Sequence, residues 1–518
     1  MARASTIDIL PDDLLGDILL FSSYLAEQER TLEATVNGFP IGDRRRRRGN
    51  FAIARVSQRW RGLSISRGAL WAHLVLQNKA ELDRAPFALE RLPPKTALHI
   101  HIDPESEDNV QDDVEYDYTL RPLHPESLER ALHALVRYVD RIRTMSLRVV
   151  ALASFPLLLS AGIQYPSLLH LSVDALATTR IYMTAPQLLT LNLHRAVPDS
   201  ENWPDIMSSN LRKMYFDSHY GAVKLNMQAL DNLFAHCGRL EHLSIGLYCS
   251  ELDGARWITP GRWSQHTLRD FSSTMPPKDT MRVLAGLKAL DRINRISLAI
   301  RTIDDTDDDL PLDLEADTTP LLRLLIQGFE SIAHFIASGD HVEITSSTGQ
   351  FREFMVCNSS PGDAWDVESI WQFLCQEANA QRTIQEFDFT SLLDWKLMAK
   401  AFAVVPPDSP EGTTLILTRV GSEPLHLPTL RRIVFRPPCS KYEPRERIVH
   451  LARKLMEQIR TAQPPRPVEI CFCDLRQLYK KRAGQWNADV DAVGDFLRQV
   501  STEWTVCTCG ETVRVTWL

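Results

Sequence analysis

The apolar residues of this chain fall into a short recurring figure: apolar, two residues, apolar, one residue, apolar. It is clearest in Pro166-Ser167-Leu168-Leu169-His170-Leu171-Ser172-Val173, and it returns in Pro186-Gln187-Leu188-Leu189-Thr190-Leu191-Asn192-Leu193. The same figure falls on Leu211/Met214/Phe216, Leu240/Leu243/Ile245 and Ile293/Ile296/Leu298. A weaker copy has Leu268 and Phe271 but Ser273 in third place. Ile142/Met145/Leu147 fits upstream, and Ile384/Phe387/Phe389 and Leu430/Ile433/Phe435 fit downstream. Side chains alternate across a strand. Each figure therefore predicts a short strand with two apolar residues on one face and the intervening polar residues on the other.

Between these strands the apolar period changes to that of a helix. Leu128, Leu132, Leu135 and Val139 form one stripe after Pro125, Leu230, Leu233 and Phe234 a second, and Met281, Leu284, Leu287 and Leu290 a third. Longer helical stretches are predicted over about 319–337, 366–380, 391–404, 445–460 and 488–500. From Leu168 the first positions of the figure step by 20, 23, 29, 28 and 25 residues. These units resemble leucine-rich repeats, whose period is about 20–29 residues. One such unit cannot close a core, but stacked neighbours bury a continuous one. Two departures stand out. The Asn or Cys expected after the strand is absent, with Ala196 in that place in one unit, so the turns must be satisfied in another way. After residue 300 the units swell, which argues against a regular horseshoe there. The predicted fold class is α/β, an irregular leucine-rich-repeat-like solenoid over residues 77–518.

Residues 1–76 have a different pattern. Leu10-Pro11-Asp12-Asp13-Leu14-Leu15-Gly16-Asp17-Ile18-Leu19 opens a helix. Pro11 suits a first helical position, where a missing N–H is harmless. Asp12 and Asp13 complement the positive end of the helix dipole. Leu14, Leu15, Ile18, Leu19 and Phe21 follow at helical spacing. A second helix is legible in Ile53, Val56, Trp60 and Leu63, and the segment closes on Ala69-Leu70-Trp71. Two short helices cannot bury all their apolar surface on each other. They need either the domain behind them or a partner, and a helical Trp is a typical partner anchor.

The Leu-Pro-x-x-Leu-Leu-x-x-Ile-Leu start, the Val56-Ser57-Gln58-Arg59-Trp60-Arg61 helix and the Leu70-Trp71 end together resemble an F-box, of the degenerate kind that begins many proteins of mushroom-forming fungi. The resemblance implies docking on an SKP-family adaptor and, through it, on a cullin in an SCF-type ubiquitin ligase. The adaptor-facing candidates it implies are Leu10, Pro11, Leu14, Leu15, Ile18, Leu19, Val56, Trp60, Leu63 and Trp71; some of these must instead hold the F-box together. One departure is an insert at about 23–50, longer than an ordinary connection. It is either a tolerated surface loop or a hindrance to adaptor docking. Its five arginines, Arg44 to Arg48, read as a solvated loop or as a nuclear-import signal.

Composition narrows the class. The 518 residues are 44% hydrophobic and 24% charged, ordinary for a globular protein. A net charge of −8 argues against general nucleic-acid binding, which leaves a basic footprint. The most apolar window, Val149 to Ile163, is too short to span a bilayer and is interrupted by Pro156, so no membrane segment is expected. The N-terminus lacks the apolar core of a signal peptide. Nine cysteines without framework spacing fit a reducing compartment, cytoplasm or nucleus.

No catalytic constellation is legible, and no cofactor is expected. Walker, G-x-G-x-x-G, H-E-x-x-H and G-x-S-x-G patterns are absent. Cys471-Phe472-Cys473 and Cys507-Thr508-Cys509 lack the two-residue spacing of a zinc knuckle and read as core cysteines. His99 and His101 share one strand face without an evident third ligand. His341-Val342-Glu343 with Pro438-Cys439 lacks the second cysteine of a zinc deaminase and reads as strand. Asp103–Tyr118 and Asp304–Asp309 are acidic but have no calcium-loop pattern. The remaining candidate is a polar ribbon between the apolar strand positions: His170, Ser172, Thr190, Asn192, Lys213, Tyr215, His242 and Ser244, expected to bind a protein substrate. The alternative class is a repeat scaffold acting outside a ubiquitin ligase.

Overall fold

A computed structural model describes residues 10–15, 17–18, 58–66, 71–76, 78–103, 124–149, 156–160, 162–198, 206, 208–218, 227–247, 261–275, 277–287, 290–301, 314–327, 329–338, 341–357, 386–389, 413–417, 430–435, 450, 453–454, 468–471, 495, 501–506 and 512–517. The protein is α/β, built on mostly parallel strand pairing. It divides into two compact units, Met1–Trp257 with Gln265–Leu268, and Ile258–Ser264 with Arg269–Leu518.

In the first unit the strands are β1 (His73–Leu76), β2 (Leu98–Ile102), β3 (Ile142–Val149), β4 (His170–Ile181), β5 (Thr190–Pro198), β6 (Lys213–Ser218) and β7 (His242–Leu247). Each pairs in parallel with the next in sequence. Helices α1 (Gln58–Ser66), α2 (Lys79–Glu90), α3 (Pro125–Val136), α4 (Pro156–Leu159) and α5 (Met227–His236) belong to the same unit. Local chemistry sets their starts. Asn78 caps α2 by accepting a hydrogen bond from the Glu81 backbone N–H at 3.1 Å, a contribution of about 1 kcal/mol. Pro125 opens α3, where its missing N–H is not needed. The two helices lie side by side, joined by Arg130 to Asp83 at 2.8 Å.

The apolar figure is the core. Leu168, Leu171 and Val173, Leu188, Leu191 and Leu193, Leu211, Met214 and Phe216, and Leu240, Leu243 and Ile245 are all at most 2% exposed. Leu128, Leu132 and Leu135 of α3 are buried on the same principle of one apolar stripe. The missing Asn or Cys is replaced by turns that precede the strands. The N–H of Leu168, Leu188, Leu211 and Leu240 donates to the carbonyl three residues earlier, of Tyr165, Ala185, Ser208 and Cys237. The next backbone N–H then reaches the adjacent unit: Leu189 donates to Leu169, Arg212 to Leu189 and Glu241 to Arg212. Ser208 Oγ donates to the Pro186 carbonyl at 2.5 Å, and Cys237 Sγ to the Ser208 carbonyl at 3.6 Å. Successive strands are therefore joined by hydrogen bonds on their entry side.

The second unit keeps the parallel habit only in part. Its strands β8 (Asp270–Met275), β9 (Arg295–Arg301), β10 (Ile332–Ser338), β11 (His341–Ser346), β12 (Phe351–Cys357), β13 (Glu386–Phe389), β14 (Thr413–Leu417), β15 (Leu430–Phe435), β16 (Val468–Cys471), β17 (Ser501–Val506) and β18 (Thr512–Trp517) surround helices α6 (Pro277–Gly286) and α7 (Leu314–Leu325). Pairs β8–β9, β9–β12, β10–β13, β13–β14, β14–β15 and β15–β16 are parallel. An antiparallel meander, β10–β11–β12, is inserted between the first two pairs and the rest, and β16, β18 and β17 are antiparallel. Ser273, the polar third position of the weak copy, is buried, with Thr280 Oγ1 at 3.4 Å. The helix expected over 319–337 is a correction: α7 ends at Leu325, and Ile332–Ser338 is strand β10. Among the described residues no helix is long and apolar enough to cross a membrane.

Candidate functional site

Residues 12–15 and 17–18 are helical, as is α1 across the insert. Among the described residues, Arg59 of α1 ties the two segments together. Arg59 places Nε 2.8 Å and Nη2 2.6 Å from Asp12 Oδ1, and Nη2 also donates to the Leu10 carbonyl. Both bonds to Asp12 end on the same carboxylate oxygen, and the Leu10 carbonyl gives the guanidinium a second anchor. Burial separates the candidates that the sequence could not. Leu15 is fully buried and Trp71 is 6% exposed, so both are core side chains. Leu10, Trp60 and Leu63 are half-buried and Pro11 is exposed. Leu14 is 54% exposed and Ile18 43%, and four residues apart they share one helical face. Leu19, Val56, the insert and Arg44 to Arg48 lie outside the described residues.

The second surface is the polar face of β1–β7. Parallel register draws its side chains into three rows, roughly 7 Å apart because same-face residues are two apart. The first row runs His73, His99, Thr144, His170, Thr190, Lys213, His242. The second runs His101, Ser146, Ser172, Asn192, Tyr215, Ser244. All eight ribbon residues predicted from sequence lie in these two rows, across β4–β7. In the first row the His73 and His99 rings stack at 4.5 Å, and His99 Nδ1 lies 2.9 Å from Thr144 Oγ1. Partial burial of the His170 ring, and then the Lys213 ammonium, pull the His170 pKa below its ordinary value.

Sequence reasoning missed the third row. Arg148, Asp174, His194, Asp217 and Gly246 are in register on successive strands. Asp103, 7% exposed, stands beside Arg148 at 3.6 Å. Arg148 reaches Asp174 at 3.7 Å, and Asp174 Oδ1 meets His194 Nδ1 at 2.5 Å. His194 Nε2 lies 3.6 Å from Asp217 Oδ2. The row ends on Gly246, where a Cβ would sit 2.5 Å from Asp217 Oδ1. The signal was present, since Asp174, His194 and Asp217 are the next same-face positions after Ser172, Asn192 and Tyr215. The apolar figure ends one residue too early to include them.

The face is polar and half-buried, ordered by neighbouring strands, and runs from a row rich in histidine to one rich in carboxylate. Cys471 is on β16, while Cys473, Cys507 and Cys509 lie outside the described residues, as do 104–118 and 304–309 of the acidic stretches. Among the described residues one cluster has metal-ligand chemistry: His341, Glu343 and Glu353 of the second unit. No protein-family model matches the chain, and no curated protein matches it at a significant level.

Proposed function

We propose that the protein is the substrate-recognition subunit of an SCF-type ubiquitin ligase, with residues 10–71 docking on an SKP-family adaptor and the polar face of β1–β7 holding a protein substrate. The observation that carries the reading is the pair Leu14 and Ile18. Among the described residues only three large apolar side chains are exposed, and these are two of them, the third being Phe87. They project from the helical segment that carries the F-box-like sequence, and Arg59 fixes that segment against α1. Neighbouring half-exposed apolar groups on a helix held by Arg59 suit further burial by a partner. The chemistry belongs to the rest of the ligase. The receptor raises the effective concentration of its substrate beside the charged enzyme.

Co-purification with a recombinant SKP-family adaptor tests this. Wild type is expected to form a stoichiometric complex, and Leu14→Asp with Ile18→Asp to lose it, while far-UV circular dichroism stays unchanged because both side chains are exposed. A folded wild-type chain that does not bind the adaptor, or a double variant that binds undiminished, refutes the reading. The first outcome leaves the alternative, a repeat scaffold working without a ligase.

A further inference from the structure

Strands β11 and β12 place Glu343 directly opposite Glu353 in antiparallel register. Like charges facing each other across a strand pair are destabilising; Arg295 at 3.1 Å from Glu353 Oε2 offsets one of the two, which leaves a place for a cation beside the other. His341, two residues before Glu343 on the same face, supplies a third donor. Its Nε2 lies 3.1 Å from Glu353 Oε1 and 3.4 Å from Glu343 Oε1, and all three ligand atoms lie within 4.8 Å of one another. Zinc bonds to imidazole nitrogen and carboxylate oxygen are about 2.0–2.1 Å. A tetrahedron of that size has edges of about 3.3 Å, which two of the three separations already match.

The surroundings orient the donors. Glu353 Oε2 accepts from Ser297 Oγ at 2.7 Å and from Arg295 Nη2 at 3.1 Å, both on β9. This turns Oε1 toward the cluster, as outer-shell partners do around bound metals. The side chains are 18–26% exposed, which gives an ion a path in and water access to a remaining position.

We propose that His341, Glu343 and Glu353 form an open three-donor site for one divalent transition-metal ion of the zinc class. The mixed imidazole–carboxylate set favours zinc or cobalt over calcium or magnesium, which prefer oxygen alone. In the loaded state the ring carries its proton on Nδ1 and gives Nε2 to the ion.

The test uses the full-length protein, stripped with a chelator and titrated with Co²⁺ and then Zn²⁺. The expected result is one Co²⁺ per chain with visible ligand-field bands, no thiolate charge-transfer band, and displacement by Zn²⁺. His341→Ala and Glu343→Gln should each abolish this uptake. Ser297→Ala, which keeps all three donors, should weaken it by about 10–100-fold. Zn²⁺ should raise the wild-type melting temperature and leave that of Glu343→Gln unmoved. Absence of Co²⁺ uptake by wild type, a thiolate spectrum, or undiminished uptake by either donor variant overturns the proposal. Should His341→Ala fail to fold, the near-isosteric Glu343→Gln decides.

Discussion

Arg352 shows how one residue can organise a region. It is 1% exposed, on the core side of β12, and its guanidinium donates to the carbonyls of Leu325 (2.9 Å), Ile293 (3.0 Å), Leu290 (3.0 Å) and Phe351 (2.9 Å). One rigid fork thus ties the end of α7, the turn before β9 and β12 together. Burial pulls its pKa down to about 10, partly offset by the Asp291 carboxylate, so it remains a cation at neutral pH. Arg352→Met keeps much of the volume but removes a donor from each of these acceptors, of which the Leu290 carbonyl keeps the Ile293 N–H. Each orphaned buried group costs about 1–3 kcal/mol, so with three such carbonyls a loss of roughly 3 kcal/mol or more is expected by urea denaturation. Arg352→Lys should recover little, because an ammonium cannot span the same fork. A methionine variant as stable as wild type would show that the carbonyls find other donors. His170 offers a pH-dependent counterpart. Its folded-state pKa is lowered, so the unfolded chain takes up a proton that the folded one resists, and stability falls as pH drops below the ordinary histidine value of about 6.5. NMR titration should find His170 below that value and Lys213→Met should move it part of the way back, since burial is the larger cause. An unmoved His170 in that variant would remove Lys213 from the account.

At the scale of elements, what was legible followed from periodicity. The apolar figure placed β3–β9, β13 and β15, because a buried strand in a parallel stack must repeat the same apolar positions. Legibility failed where the period was broken or shared. Over 319–337 the apolar content is continuous, yet α7 stops at Leu325 and the chain re-enters as β10. Gly328 and the β-branched Ile332 carried that information. Strand β12 was invisible because Phe351-Arg352-Glu353-Phe354-Met355 alternates against expectation: Arg352 is buried while Phe351 and Met355 are half-exposed. The candidate site shows the same division. The first two polar rows follow from the alternation within each figure. The Asp103–Arg148–Asp174–His194–Asp217 row continues the same alternation one residue beyond the figure, and only the pairing of its charges depends on register between strands, which no single segment encodes. Likewise Glu343 and Glu353, ten positions apart, become neighbours only through the β11–β12 turn. Within the N-terminal segment, Leu14 and Leu15 are adjacent and alike in sequence, and only folding sends one to solvent and the other to the core.

At the scale of the whole molecule, the first unit carries two surfaces of different character. One is a small apolar pair on a braced helix, and the other a broad polar face drawn from seven strands. In the proposed receptor they have separate tasks, so their mutations should separate as well. Asn192→Ala, Lys213→Glu and Tyr215→Ala change neighbouring strands β5 and β6 and leave the buried Leu191, Leu193, Met214 and Phe216 untouched. Truncating an interface anchor typically costs 1 kcal/mol or more. Together with a reversed charge at position 213, the triple change should weaken a substrate bound on this face by at least about tenfold. Quantitative mass spectrometry of complexes captured through the adaptor provides the readout, with the proteasome inhibited so that substrates accumulate. Adaptor and cullin should be recovered equally from wild type and triple variant, whereas specific substrates should fall away from the variant. Leu14→Asp with Ile18→Asp should do the reverse when the chain itself is captured, losing adaptor and keeping substrate. If the triple variant retains every partner of wild type, the polar face is an ordinary solvated sheet and the specificity of the receptor lies elsewhere in the chain.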